Sequence, residues 1–353
     1  MSKKSLSKTA TLQDVAQKAG VSLSTTSRIL SNTEYPISQS MRDRVLKAAK
    51  ELDYVPNMLA RMLKGNIYPA IGVIVPTLQN PFYNQVILGI ESAARKKNYE
   101  LMIFSSNRSI EQERININSL LQNRVMSMII FSIDNSSATL KKYINLGGKV
   151  ALMESNFKLS NTISTETDYL SAGRLAVEYL IENGHRKIAM LTSPMTRSNR
   201  KQILLGIQET MADYQLVLNE DNIFEAAKEA EIDTGLYEFE LGKALVEDFL
   251  PYRKQYTAII ALNDITAFGI IQALIRHGLS VPDDISVISF DNIVYSGMIS
   301  PPLTTIELPS SAMGFTICNM LIDVINTSDA DISDIVFKFQ GHLVERNSVR
   351  KIK

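Results

Sequence analysis

Apolar positions along the chain keep two different spacings, one before residue 66 and another after it. Over residues 11–30, TLQDVAQKAGVSLSTTSRIL, the residues Leu12, Val15, Ala16 and Ala19 recur at helical spacing and give one apolar face. Thr11 followed three residues later by Asp14 is a capping-box start. Gly20 is the stop, because glycine enters the left-handed conformation without a Cβ penalty. Val21 supplies an apolar plug, and Ser22 can cap a second helix over 23–30. Two short helices around a turn containing glycine form the helix-turn-helix pattern, whose second helix lies in the major groove. A third helix is expected from about Ser40 to Leu52, with Met41, Val45, Ala48, Ala49 and Leu52 inward and Arg42, Arg44, Lys47 and Lys50 on a solvated face. Pro56 then breaks the chain, Asn57 can cap a short segment over 58–64, and Gly65 ends it. A free helix in water is marginal even at about 12–15 residues, so this piece is a linker or a helix that forms on a partner.

From Ala70 the pattern becomes short continuous apolar runs separated by helical stretches. AIGVIVP (70–76), ELMIF (100–104), MSMIIFSI (126–133), KVALM (149–153), KIAML (187–191), YTAIIAL (256–262) and DISVISF (284–290) read as strands. The intervening helices are expected up to Lys97 and over 110–123, 139–146, 170–183, 201–211 and 264–277. Such alternation implies βαβ units, and uninterrupted apolar strands imply parallel sheets covered on both faces. The units are too many for one small sheet. The fold class is therefore α/β: an N-terminal all-α helix-turn-helix domain plus two doubly wound parallel-sheet subdomains. Ligands of open α/β sheets bind outside the carboxyl ends of the strands, so two facing sheets would enclose a cleft.

Charge changes the picture of what the chain meets. Its 353 residues carry 37 Lys and Arg against 37 Asp and Glu, a net charge of zero. Residues 1–65 hold 11 basic and 5 acidic groups, a balance of +6, which leaves −6 on the remainder. A basic head on an acidic body is the asymmetry expected when one end meets a polyanion. The second helix then offers Ser24, Thr25, Thr26, Ser27 and Arg28 as exposed hydrogen-bonding groups. Ser and Thr can contact phosphates or bases, and Arg can make a bidentate contact to guanine. A run of Ser and Thr has no helix-stability rationale, which favours DNA contact over a merely solvated face.

Composition excludes disorder, collagen and a disulfide scaffold. The one cysteine, Cys318, cannot form an internal disulfide, no run approaches the roughly 20 apolar residues of a membrane span, and the basic N-terminus lacks the apolar segment of a signal peptide. A soluble cytoplasmic protein without a membrane partner is expected. There is no phosphate-binding loop, no H-E-x-x-H and no metal-spaced Cys/His set, and His185, His277 and His342 are scattered. His185 and His277 each adjoin a glycine near a helix end, where capping or exposure is the expected role, and Asp264 reads as a helix N-cap. No nucleophile–base pair presents itself. Neither catalysis nor a cofactor is expected.

The run from TLQDVAQKAGVS through SRIL and YVPN to LARMLKG resembles the LacI/GalR (lactose-repressor) family of transcription regulators, and IGVIVP...NPFY, ENGHRKIAML, ALND, VPDDISVISFDN, PPLTTIELP and LVERNS extend the resemblance over nearly the whole chain. It implies a periplasmic-binding-protein-like effector domain and a hinge helix that orders on double-stranded operator DNA and pairs with that of its dimer mate. The matching DNA contacts are Leu23, Ser24 and Arg28 as major-groove readers; Thr25, Ser27, Asn32, Tyr54 and Asn57 at phosphates; and Leu63 as the wedge that kinks the duplex. The expected organisation is a DNA-binding domain over 1–56, a hinge over 57–66 and an effector-binding and dimerisation domain over 67–353. Within the last, one subdomain comprises 67–163 with 292–323 and the other 164–291 with 324–347. No heptad segment follows LVERNS, which implies a homodimer rather than a tail-assembled tetramer.

The resemblance also implies effector contacts from Phe82, Arg197, Asn263, Asp291 and Tyr237, the last as a stacking ring. Amides, carboxylates and a flat apolar face are the chemistry that a sugar or sugar derivative needs. Three departures stand out. Many members have Arg three residues before the glycine of an R-x-x-G motif, and here Ile203 precedes Gly206. EAAKEAEID (225–233) resembles an insertion before Tyr237, and Thr167 stands where the family usually has Asp first. The expected function is an effector-controlled repressor of carbohydrate genes. The alternative is a catabolite-control regulator signalled by a phosphorylated carrier protein, which the missing arginine favours.

Overall fold

The computed structural model describes residues 10–30, 36–54, 69–155, 157, 159–227, 237–327 and 336–352. The chain divides into two units, 1–68 and 69–353. In the first, α1 (Leu12–Ala19) opens with the reciprocal cap that its sequence predicts: Asp14 N–H donates to Thr11 Oγ1 at 3.3 Å, and Thr11 N–H donates to Asp14 Oδ2 at 2.7 Å. Gly20 closes it in the left-handed region, at φ 65°. Ser22 Oγ accepts from Thr25 N–H at 3.1 Å and starts α2 (Leu23–Leu30), and α3 spans Gln39–Glu51. Val15, Ala19, Ile29, Val45 and Ala48 form the small core, while Lys18 pairs with Glu51 at 2.9 Å on its outside. Thr26 departs from expectation. It is fully buried, and its hydroxyl donates to Ser22 O at 3.0 Å, so it is a core residue and not a surface donor. The hinge segment 58–64 lies outside the described residues.

The second unit holds two six-stranded sheets. The strands are β1 (Ala70–Val75), β2 (Glu100–Ser105), β3 (Ser127–Ile130), β4 (Lys149–Met153), β5 (Thr162–Thr167), β6 (Ile188–Thr192), β7 (Ile223–Glu225), β8 (Ala258–Ala261), β9 (Ser286–Asp291), β10 (Thr304–Glu307), β11 (Val336–Phe339) and β12 (His342–Val344). The first sheet runs β11-β5-β4-β3-β1-β2 and the second β12-β10-β9-β8-β6-β7. Only β12, on β10, is antiparallel among these pairings. Central strands such as β1, β3 and β8 are buried throughout, which is why they read as continuous apolar runs. β2 is an edge strand and is half exposed.

The helices are α4 (Pro81–Lys96), α5 (Ile110–Gln122), α6 (Ala138–Asn145), α7 (Tyr169–Glu182), α8 (Ser198–Asp213), α9 (Tyr237–Phe249), α10 (Asp264–Arg276) and α11 (Ser310–Asn326). α4 and α11 pack together on the first sheet, and α7 lies with α8 on the second. The latter two touch backbone to backbone. A Cβ on Gly206 would fall 2.0 Å from Leu170 O, and one on Gly173 would fall 2.3 Å from Ile203 O. Only glycine fits at that crossing.

The expected subdomain bounds need correction. The chain crosses between sheets after β5, again between β10 and α11, and a third time between β11 and β12. Residues 164–167 thus belong to the first sheet. Segment 292–307 stays with the second, and 324–326 and 336–339 lie with the first. The reason is pairing at long range. Val336 aligns with Ser164 and Thr304 with Ile288, contacts that no local periodicity reveals.

Candidate functional site

On the head, α2 presents Leu23, Ser24 and Arg28 outward, with Leu23 half exposed although it is apolar. Nothing in the three-helix core claims that side chain. Thr25 and Ser27 are half-buried beside them, and Ser22 Oγ links to Ser24 Oγ at 2.9 Å and to Thr25 Oγ1 at 2.8 Å. Tyr54 packs against the head core and is partly buried. Asn32, Asn57 and Leu63 lie outside the described residues.

In the second unit, the carboxyl ends of both sheets converge on a cleft. Four of the five expected contacts line it: Phe82, Arg197, Asn263 and Asp291. Phe82 stands in the first turn of α4, whose cap Asn80 accepts from Phe82 N–H at 2.9 Å. Asn263 is the N-cap of α10. Its Oδ1 accepts from Thr266 N–H at 2.8 Å, so the amide oxygen is engaged by the helix and the amide nitrogen is its remaining donor. Asp264, expected as that cap, is instead completely buried. Its carboxylate accepts from Ser289, Ser296 and Thr305 hydroxyls and from Ile293 N–H, so it ties α10 to β9 and β10.

Asp291 ends β9 at φ 110°, a conformation costly to any residue with a Cβ. Burial holds its carboxyl well above the usual carboxylate range, and the nearby Asp264, Glu154 and Glu238 push it further up. A carboxyl so placed is stabilised by any donor that arrives. Tyr237, the fifth expected contact, is not among the lining residues. It is buried at the start of α9 with the Arg108 guanidinium 5.0 Å above its ring, so the protein's own cation holds that face.

Several lining residues were not foreseen: Asn80, Tyr83, Arg108, Glu154, Tyr169, Asn199 and Glu238. Arg108 and Glu154 follow strands whose carboxyl ends face the cleft, and that position was the signal that could have found them. Glu154 accepts from the Tyr169 hydroxyl, and burial pushes its carboxyl up to about 7 against the opposing pull of Tyr169 and Arg197. Ile203 is buried in the cleft wall, and Arg200 beside it donates to Pro194 O. A second, outer space adjoins the first and shares Tyr83, Arg108, Glu154, Arg197 and Asn199 with it. Of the histidines, His185 is buried between Thr257 Oγ1 at 2.9 Å and Arg350 O at 3.0 Å, which is neither capping nor exposure. His277, by contrast, is the exposed C-cap of α10. Among the described residues no cluster of metal-binding side chains occurs, and no helix is long and apolar enough to cross a membrane.

A three-helix head of this pattern and a cleft between two parallel sheets define a class: DNA-binding transcriptional repressors with a small-molecule site. Comparison with known proteins agrees. Residues 11–57 match the model of bacterial regulatory proteins of the lacI family, and residues 177–349 match the periplasmic binding protein-like domain. The HTH-type transcriptional repressor PurR of Vibrio campbellii is 32% identical over 345 residues, covering 97% of this chain and 99% of that one. The lac repressor dimer bound to operator and the anti-inducer ONPF superposes with a TM-score of 0.79 at 26% identity, over 97% and 100% of the two chains. A periplasmic binding protein/LacI regulator from Alkaliphilus metalliredigens, complexed with D-xylulofuranose, gives 0.69 at 28% identity over 80% and 99%. The chain belongs to the lacI family of bacterial regulatory proteins and is a DNA-binding transcriptional repressor.

Proposed function

We propose that this repressor controls carbohydrate genes and that a sugar or sugar derivative in the cleft sets its affinity for operator DNA. The observation that carries the reading is the convergence of Asp291, Asn263 and Phe82 on one cavity. Asp291 offers an acceptor, Asn263 a donor amide and Phe82 a flat apolar face. A hydroxyl can donate to the first and accept from the second, so a polyhydroxylated ring satisfies all three. The relative complexed with D-xylulofuranose supports the ligand class. On the head, Leu23, Ser24 and Arg28 would read bases in the major groove, Thr25, Ser27, Asn32, Tyr54 and Asn57 would hold phosphates, and Leu63 would wedge the minor groove. Two heads would come from a homodimer matching a two-fold operator.

A second reading has one observation in its favour. Ile203 puts a buried apolar side chain where a cation would pair with a polar ligand, as a regulator signalled by a phosphorylated carrier protein permits. A thermal-shift screen of sugars and sugar phosphates separates the two. The expected result is stabilisation by at least one sugar and its loss in Asp291→Ala with DNA binding intact. Stabilisation by none, with tight binding of a phosphorylated carrier, would establish the second reading instead.

A further inference from the structure

The Arg108 contact with α9 spans the cleft. Arg108 follows β2 of the first sheet, and its Nη2 donates to Glu238 Oε1 at 2.6 Å. Glu238 stands in the first turn of α9, which packs on β6 and β7 of the second sheet. Asn80, the cap of α4, reaches the same carboxylate oxygen at 3.4 Å, and the guanidinium lies over the Tyr237 ring. The two charged side chains are only 12% and 14% exposed. So little exposed, the pair escapes most of the solvent screening that makes a surface ion pair worth little, and its short hydrogen bond is charge-assisted at both ends. Neither residue lies on a crossover segment, so no short stretch of chain forces the two together. The backbone also aims the arginine. Asn107 and Arg108 are both left-handed, at φ 48° and 59°, and Arg108 N–H donates to Pro76 O at 2.9 Å. Two successive residues with side chains are held in a disfavoured conformation, and the side chain so directed ends on the opposite half of the cleft.

We propose that the Arg108–Glu238 pair is a latch that holds the two α/β halves together without effector and so determines how readily the cleft opens. Its consequence for repression rests on the effector reading above, but the latch itself is a property of the protein alone. The cation also takes the Tyr237 face that sequence reasoning had given to the ligand, so a molecule that needed that face would have to break the pair first.

The test measures opening directly, by pulsed electron-spin resonance between labels at Ser136→Cys and Thr196→Cys. Both positions are exposed, one beside Asn135 and the other within the outer space of the cleft. Cys318 is buried with its thiol pushed up to about 12, so it does not compete for the label. The expected result is a single short distance in the ligand-free protein, lengthened by more than about 2 Å, the scale of a hinge rearrangement, in Arg108→Glu and in Glu238→Arg. Combining the two restores the charge pair and should bring the distance back at least halfway. Arg108→Gln and Glu238→Gln remove charge, the second at unchanged size, and each should lengthen the distance without adding repulsion. Unchanged distances in the single variants, or a swapped pair as open as its parents, would overturn the proposal. Operator binding is read on the same samples. A latch that behaves as expected in a protein whose operator affinity ignores every sugar would refute the effector reading and leave the latch standing.

Discussion

Asp264 and Asp291 flank the same pair of elements, α10 and β9, and their surroundings give them opposite work. Burial raises both carboxyls above their ordinary values, yet Asp264 receives three hydroxyl donors and one N–H. Asp264→Ala strands those buried donors and should cost about 3 kcal/mol, read as a lower denaturation midpoint. Asp291→Asn replaces a carboxyl crowded by Asp264, Glu154 and Glu238 with a neutral amide, so its midpoint should match or exceed that of the parent protein while effector binding is lost. Glu154 supplies a pH test. Its carboxyl ionises near 4.5 in the unfolded chain and near 7 in the folded one, so the favourable term is complete below pH 4.5 and disappears as pH rises through 7. Glu154→Gln keeps an acceptor for the Tyr169 hydroxyl and should therefore stabilise the protein at pH 8 relative to pH 5, by up to about 3 kcal/mol. Equal effects at the two pH values would show that Glu154 is already ionised at pH 5. The sequence reveals Asp291 and Asn263 because strand ends point to the cleft. It conceals Asp264's role, because the three hydroxyls that surround it come from residues 25 to 41 positions away.

At the scale of elements, the head was legible almost residue by residue. Capping box, stop glycine and apolar face are local signals, and they fall where Thr11, Gly20 and Val15 predict. Thr26 was misread because one turn of helix does not reveal which side faces α3. In the second unit the central strands were equally plain, but β5, β7, β10, β11 and β12 were missed. β7, β10, β11 and β12 span only three or four residues, and β5, TISTET, lies inside its sheet but is mostly polar in sequence. The glycine of the departed R-x-x-G motif has a use apart from ligands. Gly206 lets α8 press onto α7, and that crossing positions Ile203 and Tyr169 in the cleft wall. Gly206→Ala should force the two backbones apart and cost about 1–3 kcal/mol, with weakened effector binding even though the residue does not line the cleft. Isothermal calorimetry on the folded variant checks this, and unaltered affinity would disconnect the crossing from the site.

For the whole molecule, a formal charge of zero conceals the +6 head and the −6 remainder. Neutralising phosphates releases counterions, so operator affinity should fall steeply with salt, by about 10³–10⁵ between 50 and 200 mM for 6–10 phosphate contacts. A shallow slope would mean few phosphate contacts and a different docking surface. What the sequence could not supply at this scale was the order of the crossovers, because the sheet that a late strand joins depends on partners more than a hundred residues away. The central claim is that the head reads specific DNA. Selection from a random pool of double-stranded oligonucleotides, with the full chain and with a chain lacking residues 1–65, tests it most directly. The full chain should enrich a two-fold-symmetric site and the shortened one nothing. Equal enrichment by the shortened chain, or no site from the full one, would contradict it.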